Sequence, residues 1–278
     1  MKRLLSIEFS KLWGNRAARV LILAYFILLS FIALLASVNF KIIGIDFRLA
    51  DQGIFNFPYI WHFNTWIAAF LKFFLAIVIV SMMANEYTYG TLKQNLIDGL
   101  SKKEFIFSKF ITVVVFAAFS AIFMFFLTLI LGYSFSSYTE TSIVFTDIVY
   151  IFAYFLKLVA FFSFCLFAGV LVKRSAFALG FVLVWWIAEG IIFLVLRWKI
   201  IKDGAITDNI MQFFPLDAMA NLIKEPFTRF ETVRALEMAN GTVSIKDYGV
   251  HWYSVLIVII WTLIFILTSY RIVKKRDL

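Results

Sequence analysis

Lys72, Lys157 and Glu189 are ionisable residues set inside long apolar runs. A charge at membrane depth is costly, so such side chains pair with one another, face water or mark a functional path. At the helical rise, Lys72 lies about 9 Å below Trp66 and Glu189 about 10 Å before Leu196. With Lys157 somewhat deeper, all three fall in one half of the bilayer. The spacing predicts an ion pair between Glu189 and Lys72 or Lys157, beneath the polar segment that precedes the last apolar run. The alternative is that the lysines snorkel to the headgroups along their flexible stems. Glu189 is too short to follow them, and is then paired, protonated or open to water.

Little else in the chain resembles a reaction centre. His62 and His251 stand beside Trp61 and Trp252 at the ends of apolar runs. Two histidines without established neighbouring ligands are weak ground for zinc, and both read as interface residues. The one cysteine, Cys165, excludes an intrachain disulfide and a multi-cysteine metal centre, and reads as a small buried hydrophobe. No nucleophile–base constellation appears, so an intramembrane enzyme is not expected. None of the twelve glycines is followed by lysine, so a Gly-Lys-Ser/Thr phosphate loop is absent. The chain cannot hydrolyse ATP by that route, and no cofactor or metal is expected within it.

The elements that position these residues follow from hydropathy. Of 278 residues, 63% are hydrophobic, 35 are Phe and only 15% are charged; the mean hydropathy is +0.93. Soluble domains carry roughly 45–50% apolar and about 25% charged residues. A single water-soluble core of this size could not bury so much apolar surface, whereas lipid removes the difficulty. A spanning helix needs about 20 apolar residues to cross about 30 Å of hydrocarbon. Six segments qualify: Val20–Phe40, Phe63–Ala84, Phe110–Leu131, Ile148–Val172, Ser175–Leu196 and Trp252–Tyr270. The expected fold is an all-α integral membrane protein, a single transmembrane domain of six helices. The first segment exceeds an ordinary signal-peptide core and reads as a retained helix. Only Lys173 and Arg174 separate the fourth and fifth, which predicts a tight helical hairpin.

The net charge of +9 is spread over the ends of apolar runs, which argues for orientation in a bilayer and against nucleic acid. With the N-terminus inside, the inner segments collect Lys2, Arg3, Lys11, Arg16 and Arg19, then Lys93, Lys102, Lys103 and Lys109. They also collect Lys173 and Arg174, and finally Arg271, Lys274, Lys275 and Arg276, while the loop 132–147 has no basic residue. Both termini are therefore expected in the cytoplasm and the protein in the cytoplasmic (inner) membrane, with lipids as its partners.

Three connecting segments carry further information. In the arm 1–19, Leu5, Phe9, Leu12 and Trp13 share a helical face opposite Lys2, Arg3, Lys11 and Arg16, which predicts an amphipathic elbow helix flat in the headgroup layer. In the loop 85–109, Gly90 breaks the preceding helix, Thr91 is expected to cap a short helix with Leu92, Leu96 and Ile97 on one side, and Gly99 suits its left-handed end. Ser101 and Glu104 have the spacing of a capping box that starts the next helix. The segment 197–251 is long for a connection. Its apolar stretch Ile210–Ile223 is broken by Pro215 and Asp217, which predicts a re-entrant or interfacial helix pair containing Phe213, Phe214, Pro215 and Asp217. Thr228 and Glu231 predict a further capped helix carrying Phe227, Phe230, Val233 and Leu236 and ending at Gly241. Asn240-Gly241-Thr242 matches a glycosylation sequon, read as chance unless the source is eukaryotic.

The run Glu86-Tyr87-Thr88-Tyr89-Gly90-Thr91-Leu92, followed by Ser101-Lys102-Lys103-Glu104-Phe105 and Lys109, resembles the cytoplasmic loop of ABC-2-type ABC transporter permeases. The likeness extends to the six-span layout, the elbow and the long segment before the last helix. It implies an exporter half-transporter that dimerises, with itself or with a closely related permease, and sits on ABC ATPase subunits carrying the ATP and magnesium. By the same resemblance, Glu86, Tyr87, Gly90, Thr91, Leu92, Ser101 and Lys102 belong to the ATPase-coupling loop, and the segment before the last span is a lid on the export path. The rival reading is a non-transporting membrane scaffold that binds a partner through 197–251; a channel has no polar stripe to support it. Composition rich in Phe and Ile points to a low-GC bacterial source. Nothing in the sequence selects a substrate beyond an amphiphilic one.

Overall fold

A computed structural model describes residues 2–37, 39–42, 45–48, 53–229 and 247–276. Helix α1 (Lys2–Gly14) meets α2 (Arg16–Ser37) at a bend of 92°. The Asn15 side-chain oxygen accepts from the amides of Ala17 and Ala18 at 3.0 and 3.2 Å, satisfying donors at the start of α2 that lack helical partners. The expectation that α1 presents Leu5, Phe9, Leu12 and Trp13 together to the headgroups is corrected. Glu8 and Leu12 are buried, Phe9 packs against Phe116 at 5.6 Å between ring centroids, and Trp13 is exposed. Residues at i and i+4 share a face, whereas the next residue along is turned away from it by roughly 100°.

The first span was expected to run to Phe40, but α2 ends at Ser37. A two-stranded antiparallel ribbon follows, β1 (Asn39–Ile42) and β2 (Ile45–Arg48), pairing Asn39 with Arg48 and Ile42 with Ile45. Polar and apolar residues alternate through both strands, the period of extended chain, so the all-α expectation holds for the membrane body and not for this ribbon.

The remaining helices are α3 (Tyr59–Thr88), α4 (Thr91–Ile97), α5 (Lys102–Phe135), α6 (Thr141–Val144), α7 (Val149–Val172) and α8 (Ser175–Val195). After these come α9 (Gly204–Met211), α10 (Pro215–Asn221) and α11 (Trp252–Lys275). Helix α8 is prolonged by a π-helical turn, Leu196–Ile200. Among the described residues, five helical stretches are long and apolar enough to cross a membrane alone: α3, α5, α6–α7 together, α8 with its π turn, and α11. The bent pair α1–α2 meets the same criterion when its two parts are taken together.

Helix α7 forms the centre, packed against α3, α5, α8 and α11. Small residues allow the approach: a Cβ added at Gly169 would lie 2.9 Å from Met83 Cβ and 3.3 Å from the Val80 carbonyl oxygen on α3. Lys173 takes the left-handed conformation (φ 64°) that turns α7 into α8. By contrast α8 buries only Ala178, Val182 and Glu189 within the chain. Trp61 and His62, expected at the interface, are fully buried instead. Helix α3 begins before its apolar run, and there Trp61 donates to the Val144 carbonyl at 2.6 Å while His62 stacks on Tyr150 at 4.3 Å. Of the helix expected from the Thr228–Glu231 box, the described residues hold a 3-10 turn at Phe227–Arg229; the rest of it and the sequon at Asn240 lie outside the described residues.

Candidate functional site

The α3–α5 connection is built by two reversals. Gly90 adopts φ +68°, a left-handed conformation that glycine enters at little cost, and turns α3 into α4; Gly99 at φ +95° ends the knuckle. Gly90 itself is the N-cap of α4, which corrects the expectation that Thr91 caps it. Thr91 is the first helical residue, and its hydroxyl is free to donate to Glu86 Oε2 at 2.6 Å. Ser101 and Glu104 form a reciprocal capping box: the Glu104 amide donates to Ser101 Oγ, and the Ser101 amide donates to the Glu104 carboxylate.

Beneath the knuckle lies a buried polar cluster. Glu86, 3% exposed, accepts from Lys109 Nζ at 2.6 Å, from Lys11 Nζ at 2.9 Å and from Asn95 Nδ2 at 3.5 Å, besides Thr91. Lys109 has no exposed surface and also donates to Glu8 Oε2 at 2.6 Å. Two carboxylates and two ammonium groups from α1, α3 and α5 are thereby joined to two polar side chains of α4. In a low-dielectric interior such a set is stable only when each charge has its partners, so the four helices are held in one arrangement.

Tyr87 and Lys102 extend this network to the end of α11. Arg276 donates to the Tyr87 hydroxyl at 3.0 Å and to the Val170 carbonyl at 2.8 Å. Lys102 Nζ donates to the carbonyls of Arg276 at 2.8 Å and Lys274 at 3.3 Å, filling acceptors that a helix C-terminus leaves open. The expected apolar side of α4 is divided: Leu92 is buried and Leu96 packs on the core, but Ile97 at its end is 75% exposed, and Tyr89, just before its start, is 74% exposed. Glu8 and Arg276 were not singled out from sequence. An acid inside the apolar stripe of α1 was the available signal for Glu8; Arg276 had none.

The intramembrane charges are arranged differently from the expectation. Glu189 forms no ion pair with Lys72 or Lys157. Its carboxylate accepts from Trp185 Nε1 at 2.6 Å, from the Leu216 amide at 3.1 and 3.2 Å, and from the Asp217 amide at 3.1 Å. Pro215 opens α10, and the free amides of its first turn face Glu189, so backbone donors take the place of a cation. Lys72 Nζ lies 4.3 Å from the Phe161 ring centroid, and Lys157 Nζ donates to the Ala220 carbonyl at 3.4 Å. Phe214 caps α10, buried Pro215 is its first residue, and the Phe213 carbonyl accepts from Trp261 Nε1 at 2.9 Å. Burial pushes the Asp217 carboxyl up to about 6, opposed by the hydrogen bond from Asn221 and reinforced by the charges of Glu189 and Asp208. His251 pairs with Asp247 at 2.8 Å and stacks on Tyr253 at 4.9 Å. Among the described residues, no group of His, Cys, Asp and Glu could hold a metal ion.

The family model described as "ABC-2 family transporter protein" matches residues 6–278, almost the whole chain. No curated protein matches the sequence.

Proposed function

The chain belongs to the ABC-2 transporter family, and from that premise we propose that it is the permease subunit of an ABC exporter. It moves an amphiphilic substrate across or out of the cytoplasmic membrane with ATP hydrolysed, with magnesium, on a separate ATPase subunit. In this reading the bent pair α1–α2 supplies an elbow and the sixth span, both termini are cytoplasmic, and α9–α10 form the re-entrant element. A second copy or a closely related permease completes the transporter.

The observation that carries the reading is the knuckle: a short helix braced on the buried Glu86–Lys109 cluster, with Tyr89 just before its start and Ile97 at its end left exposed. Exposed apolar side chains on a rigid polar-footed element suit insertion into a groove of another protein. Force applied to α4 passes through Thr91 and Asn95 to Glu86, and so to α1, α3 and α5 together. A mere connector between two spans has no need of that bracing.

The test is purification of the tagged chain from its native membrane in mild detergent. Recovery of a phosphate-loop ATPase in stoichiometric amount, and its loss with Tyr89→Asp/Ile97→Asp at unchanged chain yield, is the expected result. Recovery of the chain alone, or with only an extracytoplasmic protein, overturns the reading in favour of the scaffold.

A further inference from the structure

A cavity of about 1130 Å³ opens beside α3, α7 and α8, with α9, α10 and the start of α11 completing its wall. Its sides are apolar and aromatic; Phe70, Phe73, Leu183 and Trp186 line it and remain exposed. Lys72 and Lys157 both reach it from within the spanning helices. Among the described residues neither lysine has a carboxylate partner: one lies over the Phe161 ring and the other reaches a single carbonyl at 3.4 Å. The acidic residues of the same wall are engaged elsewhere. Asp208 lies 3.8 Å from Arg197, Asp217 accepts from Asn221 at 2.7 Å, and Glu225 accepts from the Phe227 amide at 3.1 Å. Glu189, the acid expected to neutralise the lysines, is held by backbone amides of α10.

Two cations at membrane depth without a counter-charge are unfavourable, and an anion delivered to them is bound with little competition from water. We propose that this cavity binds an anionic amphiphile, its carboxylate or phosphate head between Lys72 and Lys157 and its apolar part against Phe70, Phe73 and Trp186. The inference rests on the permease reading and gives it a substrate class. The head group arrives either on a bilayer lipid or on a separately delivered amphiphile, and the chemistry at the lysines is the same. Ring faces next to the ammonium groups suit an occupant that is apolar just beyond its head.

The full chain is reconstituted in nanodiscs of phosphatidylcholine and titrated with dodecyl phosphate, dodecylphosphocholine and dodecyltrimethylammonium, with binding read by tryptophan fluorescence and by the shift in Tm. Dodecyl phosphate is expected to bind, the cation is not, and Lys72→Met/Lys157→Met should weaken the phosphate about tenfold or more. Lys72→Arg keeps the charge and should retain binding, which separates loss of charge from loss of fold. Equal binding of the cationic and anionic probes, or unchanged affinity in the double variant, overturns the proposal. Repeating the titration with phosphatidylglycerol in the disc identifies the source: competition points to a bilayer lipid, its absence to a delivered amphiphile. Binding is measured on the permease alone. Anion binding without recovery of an ATPase sinks the exporter reading only, and ATPase recovery without anion binding sinks the cavity assignment only.

Discussion

Lys109 places one ammonium group, with no exposed surface, 2.6 Å from each of two buried carboxylates, Glu8 and Glu86. Removing it leaves the Glu8 carboxylate without its cation and Glu86 with Lys11, Thr91 and Asn95 as its donors. Lys109→Met is expected to destabilise the detergent-solubilised chain by roughly 3–5 kcal/mol, the range for breaking a buried pair from one side. Lys11 reaches the same cluster, but its side chain is 37% exposed, and Lys11→Met should cost about 1 kcal/mol or less. Thermal unfolding of the two variants separates them; equal losses would mean that the cluster is wetter than its packing indicates. Asp217 provides a pH test at the other end of the molecule. Its carboxyl is raised from an ordinary 3.8 to about 6 by burial first, so the fold binds this proton more tightly than the unfolded chain does. The contribution to stability is complete below 3.8 and fades as pH rises to about 6. Asp217→Asn should remove that fade, seen as a flatter Tm against pH between these limits. An unaltered profile would exclude Asp217 as its source.

At the scale of elements, two glycines separate backbone from packing effects. At Gly90 a Cβ would meet nothing within 4 Å, so the obstacle to substitution is the left-handed backbone alone. Gly90→Asn should preserve ATPase recovery, whereas Gly90→Val, at about 1–2 kcal/mol or more of backbone strain, should shift α4 and reduce it. Full recovery with valine would show that the reversal does not set the docking geometry. At Gly169 the obstacle is Met83 on α3, and Gly169→Ala should lower stability by about 1–3 kcal/mol through overpacking, read as a fall in Tm. The long helices were legible because apolar length is a property of the chain itself, and so was the Ser101–Glu104 box, which is formed by residues three apart. The ribbon at Asn39–Arg48 was hidden because its alternation begins inside what reads as the tail of an apolar run. The partners of Glu189 could not be read at all. They are main-chain amides some 27 residues away, and a backbone donor leaves no signature in side-chain spacing. Glu86 was visible in the loop wording, but Glu8 was not, because the lysine that joins the two acids comes from a third helix.

For the whole molecule, α8 poses the question of what faces it. Among the described helices able to span it is the least buried within the chain, with Phe177, Val184, Trp186 and Ile191 exposed. Lipid accounts for exposed large side chains, but it gives no reason for Ala176 and Gly180 to be small at four-residue spacing, an arrangement that admits the backbone of another helix. A Cβ at Gly180 meets nothing within 4 Å among the described residues, so enlarging it causes no clash there. Gly180→Leu should therefore not lower the Tm of the isolated chain, since leucine favours the helix more than glycine does, while shifting the purified complex toward smaller assemblies. Gly180→Cys should form disulfide-linked pairs in native membranes under mild oxidation, and Phe126→Cys, at an exposed site on α5, should not. Cys165 is buried and contributes no background. Cross-linking through Gly180 of one chain to itself supports a homodimer meeting along α8. Cross-linking to a different protein supports a related second permease in that place. No product at Gly180, with Gly180→Leu silent in every measurement, would assign α8 to lipid and move the subunit interface to another face. The same experiment bears on the cavity, because Leu179, Val182 and Leu183 line it from α8. If a second copy covers Gly180, the anion-binding chamber lies beside the subunit boundary, and motion of one copy against the other would change the width of its mouth.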